Sequence, residues 1–195
     1  MVEALLPQPH GTAFIQSAAQ DSDRSFYNFI FRPETAWSVF TARRSFVLSL
    51  FVFLASNIAQ AVAFGAVNGG FFIMLPFIFL QWIIAASAYH FFSYILGGRG
   101  DVVSFFCLWA MTDIPLLFLP SARILSRLFL RNGVLISFSF IAAVYAWSAA
   151  LKIKLLKFNY HISSYNAFFV FLFPIVAAGV IIALSIVLYA LWLLI

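Results

Sequence analysis

Five apolar runs, each close to the length needed to cross a bilayer, leave this chain few folds to choose from. They lie at Ser45–Phe64, Phe71–Leu96, Val102–Leu119, Val134–Leu151 and Ala167–Ile195. A hydrocarbon core of ~30 Å takes about 20 helical residues at 1.5 Å each, and every run meets or approaches that length. In lipid, backbone N–H and C=O groups must find partners inside the protein, so each run is expected to be a helix. The expectation is an all-α, polytopic membrane helix bundle with five transmembrane helices. Hydrophobic residues make up 65% of the 195 and charged residues only 9%, where soluble domains carry about 25% charged. Water is therefore not the main solvent of this chain.

The third run contains the sharpest exception to this pattern, Asp113-Ile114-Pro115. An ionised aspartate at mid-membrane depth costs about 2.5–3.5 kcal/mol on insertion scales, so it needs a partner. Pro115 lacks an N–H and disfavours helix just before it. Together they predict a broken third helix whose freed backbone is covered by protein or water. The segment either crosses as a broken helix or returns as a re-entrant hairpin. Asp113 reads first as the cap of the half-helix restarted around Pro115, accepting backbone N–H bonds. A proton or cation relay, or a contact with His90 or a partner protein, are the alternatives. Thr112, Asp113, Pro115 and His90 form the candidate polar site.

The second and fifth runs are longer than a span requires, so tilt or a kink is expected, with Pro76 and Pro174 as kink points. The connections are short. Gly65–Gly70 reads as an uncharged turn, and Gly97-Gly98-Arg99-Gly100-Asp101 as a tight glycine turn in which Asp101 caps the third helix. Between Pro120 and Gly133, Arg123, Arg127 and Arg131 recur at helical spacing within an arc of about 80°, opposite Ile124, Leu125, Leu128 and Phe129. That pattern predicts an interfacial helix with its arginines towards headgroups.

The N-terminal region divides in two. Residues 1–20 show no strong period and read as a tail. From Asp21 onward, capping residues precede Phe26, Phe29 and Ile30 at helical spacing. Pro33-Glu34-Thr35 then opens a second short helix with Trp37 and Phe40 on one face, closed by Arg43-Arg44. Amphipathic interfacial helices on the membrane surface are the expected result. The organisation is thus a cytosolic tail with short amphipathic helices at 1–44 and a five-span domain at 45–195.

Basic residues set the expected orientation. Arg32, Arg43, Arg44, Arg99, Lys152, Lys154 and Lys157 fall on the side of the N-terminus, and Arg123, Arg127 and Arg131 on the other. That asymmetry places the N-terminus in the cytoplasm. Arg43, Arg44, Arg123, Arg127, Arg131, Lys152, Lys154 and Lys157 are the candidate contacts to anionic lipid headgroups. A net charge of +5 spread between apolar runs reads as headgroup contact rather than a nucleic-acid surface.

Catalytic chemistry is poorly represented. His10, His90 and His161 have no metal-ligand spacing, and no His-Glu-x-x-His, Cys-x-x-Cys or Gly-x-Ser-x-Gly run occurs. The lone Cys107 cannot form an internal disulfide. We therefore expect no enzyme activity, cofactor or metal. Asn57, Gln60, Gln81 and Ser148 are polar groups within spans and suit interhelical hydrogen bonds worth about 0.6 kcal/mol each. A permeation role would require a polar cavity at mid-depth, lined by Asp113 with Asn57, Gln60 or Gln81. An Asp113 bonded only to local backbone would exclude it.

Three groups of short motifs resemble the Yip-type family, the Ypt/Rab-interacting membrane proteins with a Yip-one domain. They are Phe31-Arg32-Pro33-Glu34-Thr35-Ala36-Trp37; Leu96–Asp101 with Thr112–Pro115; and Tyr145-Ala146-Trp147-Ser148 with His161-Ile162-Ser163 and Asn166-Ala167. The resemblance covers residues 26–190 and implies five spans with a cytosolic N-terminus. Eukaryotic members bind prenylated small GTPases through their cytosolic region. This chain has a short N-terminal region without a long acidic or proline-rich extension, so small GTPase binding is not carried over. It looks more like a prokaryotic member, which implies a bacterial inner (cytoplasmic) membrane rather than Golgi or ER. The expected function is that of a non-enzymatic integral membrane protein that scaffolds or shapes membrane, or serves trafficking, through helix and lipid contacts. A membrane-protein partner or a second copy is expected beside it. The alternative is a transport or permeation component using the broken third span around Asp113.

Overall fold

A computed structural model describes residues 33, 34, 36–38, 46–67, 69–129 and 132–192. The expected tail, the first amphipathic helix, Phe40, Arg32, Arg43, Arg44 and Arg131 lie outside the described residues. The chain is helical: α1 Phe46–Phe64, α2 Gly69–Ile95, α3 Val102–Met111, a 3-10 helix Ile114–Phe118, α4 Ser121–Leu128, α5 Gly133–Tyr160 and α6 Ser164–Trp192. No strand occurs among the described residues. Among the described residues, five helical segments are long and apolar enough to cross a membrane, and α3, the 3-10 helix and α4 together make the third, Val102–Leu128. The protein is a multi-pass membrane helix bundle.

Glycine sets both early turns. Gly65 and Gly97 adopt positive φ of 71° and 82°. After Gly65, the Ala66 N–H reaches the Ala61 carbonyl at 2.8 Å; after Gly97, the Gly98 N–H reaches that of Ser93 at 2.9 Å. These are Schellman closures, which use a left-handed residue to satisfy the last helical carbonyls. Asp101 then caps α3 as its spacing predicts, accepting from the Ser104 N–H at 3.0 Å and the Ser104 hydroxyl at 2.6 Å.

The break in the third span is a local tightening. The Asp113 N–H bonds the Ala110 carbonyl, Leu116 bonds Asp113, Leu119 bonds Leu116 and Ala122 bonds Leu119. Each bond spans three residues rather than four, so the backbone around Pro115 is largely retied within the segment. The segment also crosses the bundle. At its start the Asn159 side chain donates to the Asp101 carbonyl, and the Arg99 N–H to the Tyr160 carbonyl, at the C-terminal end of α5. At its finish Arg123 reaches the last turn of α1, and Gly133, the first residue of α5, abuts Ser126. A re-entrant hairpin would bring both ends to one side, so the crossing reading holds.

Burial ranks the spans. In the third, 67% of the window is buried, against 6% in α2 and 6% in α6, so the broken segment is the axis around which the others pack. Phe105, Leu108 and Trp109 of α3 meet Leu151, Leu155, Leu156 and Tyr160 of α5 in the main core. Trp37 is 0% exposed and packs on Phe158 with ring centroids 5.7 Å apart, so its face of the short helix docks on the bundle. One expectation changes here: the fourth helix continues to Tyr160, not Leu151. Leu151, Leu155 and Leu156 carry the apolar stripe on, and lysine is a good helix former, so Lys152, Lys154 and Lys157 belong to the span's last turns.

Candidate functional site

The site is built where α5 passes the break in the third span. Tyr145, Ser148 and Lys152 lie at three- and four-residue spacing and therefore share one face of α5. Asp113 sits at the break with φ −91° and ψ 1°, where Pro115 prevents the helix from continuing. Lys152 Nζ lies 2.6 Å from Asp113 Oδ1. The Ser148 hydroxyl donates to the same oxygen at 3.0 Å. Lys152 also stands over the Trp109 ring, 5.2 Å from its centroid, in cation–π geometry. Asp113 is thus not a side-chain cap: it occupies the N-cap position of the 3-10 helix but makes no capping bond. The i−3 bonds already serve the local backbone, and a carboxylate at this depth gains more from a cation.

Beside this pair lies a cavity of about 770 Å³ lined by all five spans. α1 contributes Asn57 and Gln60, α2 Gln81 and Trp82, the third span Trp109 and Asp113, α5 Tyr145, Ser148 and Lys152, and α6 Phe171 and Ile175. Asn57 and Gln60 each donate to a carbonyl of their own helix, at 2.8 and 3.4 Å. Gln60 Oε1 accepts from the Tyr145 hydroxyl at 3.0 Å, which ties α1 to α5 across the cavity wall. The Trp82 indole Nε1 is buried with no hydrogen-bond partner among the described residues. Such orphan donors are rare in folded proteins and mark places where water or a ligand supplies the acceptor.

The other predicted residues go elsewhere. Thr112 bonds the Trp109 carbonyl at 2.6 Å and Pro115 is buried in the 3-10 helix. His90 Nδ1 shares a 2.6 Å hydrogen bond with the Tyr160 hydroxyl rather than with Asp113. Arg123 donates to the Val62 carbonyl at 2.9 Å and so closes the end of α1, while its side chain stays exposed. Lys152 faces Asp113, because its aliphatic stem can carry the ammonium inward to a buried anion. Arg127, Lys154 and Lys157 remain at least partly exposed. No cluster of three metal-ligating side chains exists among the described residues, and Cys107 is buried.

Sequence reasoning missed the Lys152 partner of Asp113 and the Tyr145–Gln60 and His90–Tyr160 pairs. The available signal was a lone intramembrane acid together with a lysine at helical spacing from Ser148. No family of known proteins, curated protein or solved structure matches this chain.

Proposed function

We propose that this protein is a non-enzymatic membrane protein that admits a small polar molecule to its five-helix cavity and serves its passage or sequestration. The observation that carries the reading is the Asp113–Lys152 pair at the wall of a cavity that Asn57, Gln60 and Gln81 also line. Ionisable residues within spans pair with one another, face water-filled cavities and mark solute pathways. A purely scaffolding bundle gains little from amide and charged groups gathered around open volume, since packing contacts alone hold helices together in lipid.

Two further elements belong to this reading. The basic excess supports a cytoplasmic N-terminus, and the bacterial inner membrane rests on the likeness to prokaryotic Yip-type members. The Yip-type resemblance is part of it too. Its Thr112–Pro115 and Tyr145–Ser148 segments meet at the Asp113–Ser148 hydrogen bond, which supports treating them as one site.

Aqueous access tests the proposal. Single cysteines at Gln81 and Tyr145, each in a Cys107→Ala background, are treated with a membrane-impermeant methanethiosulfonate in proteoliposomes. Both are expected to react, while a cysteine at the lipid-facing Val180 stays inert. Inert cysteines at both cavity positions would remove the reading and return the protein to a packed scaffold.

A further inference from the structure

The charges of the cavity define what it can hold. Resting on the cavity reading above, we infer that the site takes a zwitterion: an ammonium facing Asp113 and a singly charged acid facing Lys152, as in the headgroup of an amino-phospholipid. The pair contributes one positive and one negative charge, held 2.6 Å apart, with side-chain exposures of 18% for Lys152 and 11% for Asp113. A ligand with a single charge can claim only one partner and leaves the other unpaired at depth, which the membrane interior penalises heavily. A zwitterion satisfies both.

Free valences are placed to receive it. Lys152 and Ser148 both use Asp113 Oδ1, and Oδ2 has no hydrogen bond among the described residues. That oxygen is an acceptor for an ammonium. Elsewhere on the lining the exposed Gln81 amide has no partner among the described residues. This uncommitted donor suits an oxygen of a phosphodiester. Ile78, Phe171 and Ile175 add apolar surface to the lining. The cavity therefore offers both polar groups and apolar side chains, as an amphiphile requires.

The free headgroup and the intact lipid share this chemistry, and the experiment has an arm for each. The purified full chain in maltoside micelles is titrated with glycerophosphoethanolamine, ethanolamine or dimethyl phosphate, and stabilisation is read as the rise in Tm. Phosphatidylglycerol nanodiscs with and without phosphatidylethanolamine supply the lipid arm. The zwitterion is expected to give a saturable rise at concentrations at least about tenfold below either single-charge probe. Response to the soluble probe alone identifies a free solute, and response in nanodiscs alone identifies a lipid. Tyr189→Phe, at an exposed position of α6 outside the cavity lining, is expected to leave the response unchanged. Asp113→Asn should shift preference to dimethyl phosphate, and Lys152→Gln should shift it to ethanolamine. These are gains of response that a misfolded variant does not produce. Equal response to a single-charge probe in the unaltered protein overturns the zwitterion assignment and leaves the cavity reading standing. No response to any probe, with Tyr145→Cys still labelled from water, does the same. No response together with inert cavity cysteines removes both.

Discussion

The ammonium of Lys152 lies 2.6 Å from the carboxylate of Asp113, joining the C-terminal part of α5 to the break in the third span. The two groups differ in what they can do alone. Lysine has a long stem that can carry its charge towards the interface, whereas aspartate at a fixed backbone position cannot move.

That asymmetry predicts unequal costs. Lys152→Met should destabilise the protein by about 3 kcal/mol, because it strands a buried carboxylate. Asp113→Asn should cost about 1–2 kcal/mol, because Lys152 can snorkel outward and the substituted amide keeps an acceptor oxygen for the Ser148 hydroxyl. The double variant should cost less than the sum of the two. Unfolding by dodecyl sulfate in mixed micelles, followed by tryptophan fluorescence, measures all three. Additive costs would mean that the pair is not coupled.

The glycine turn before α3 should resist substitution for steric reasons. A Cβ on Gly100 would stand 2.5 Å from the Tyr160 ring, and one on Gly98 would stand 2.7 Å from the Ser93 carbonyl. Gly98→Ala and Gly100→Ala are each expected to cost about 1–3 kcal/mol. Gly69 opens α2 with nothing within 4 Å of its Cβ position, so Gly69→Ala should stay within about 0.5 kcal/mol of the parent. The same unfolding assay ranks them, and a Gly69 variant as damaged as Gly100→Ala would contradict the geometry.

Arg123 and Arg127 share one face of α4 by sequence but have separate tasks in the fold. Both side chains are exposed, but Arg123 also holds the Val62 carbonyl. Arg123→Gln should lower stability by about 1 kcal/mol and leave adhesion to anionic nanodiscs nearly intact. Arg127→Gln should do the reverse, with a loss of about 1 kcal/mol in adhesion at low salt. Identical behaviour of the two variants would restore the shared headgroup role.

The crossing of the third span predicts opposite sidedness for its two ends. Single cysteines at Ser126 and Ser163, in a Cys107→Ala background, should label from opposite faces of sealed vesicles. The reason is that Ser126 lies at the end of the third span and Ser163 between α5 and α6. Labelling from one face would mean that Val102–Leu128 does not cross.

Much of the architecture was legible in the chain because it is local. Apolar length marks each span, positive-φ glycines close α1 and α2, Asp101 caps α3 and Pro115 breaks it, all within a few residues of sequence. Tertiary structure alone decided the partners. Ser148 and Lys152 could face lipid, headgroups or core depending on the rotation of α5 about its axis, and that rotation is set by packing of Leu151, Leu155 and Leu156 against α3. The same packing turns Trp37 into the core, takes Arg123 to Val62 and gives His90 to Tyr160 instead of Asp113. Helix formation follows from neighbours along the chain, whereas the mate of a buried charge follows from neighbours across the bundle, where a flexible lysine stem and a fixed aspartate meet only once the helices have docked.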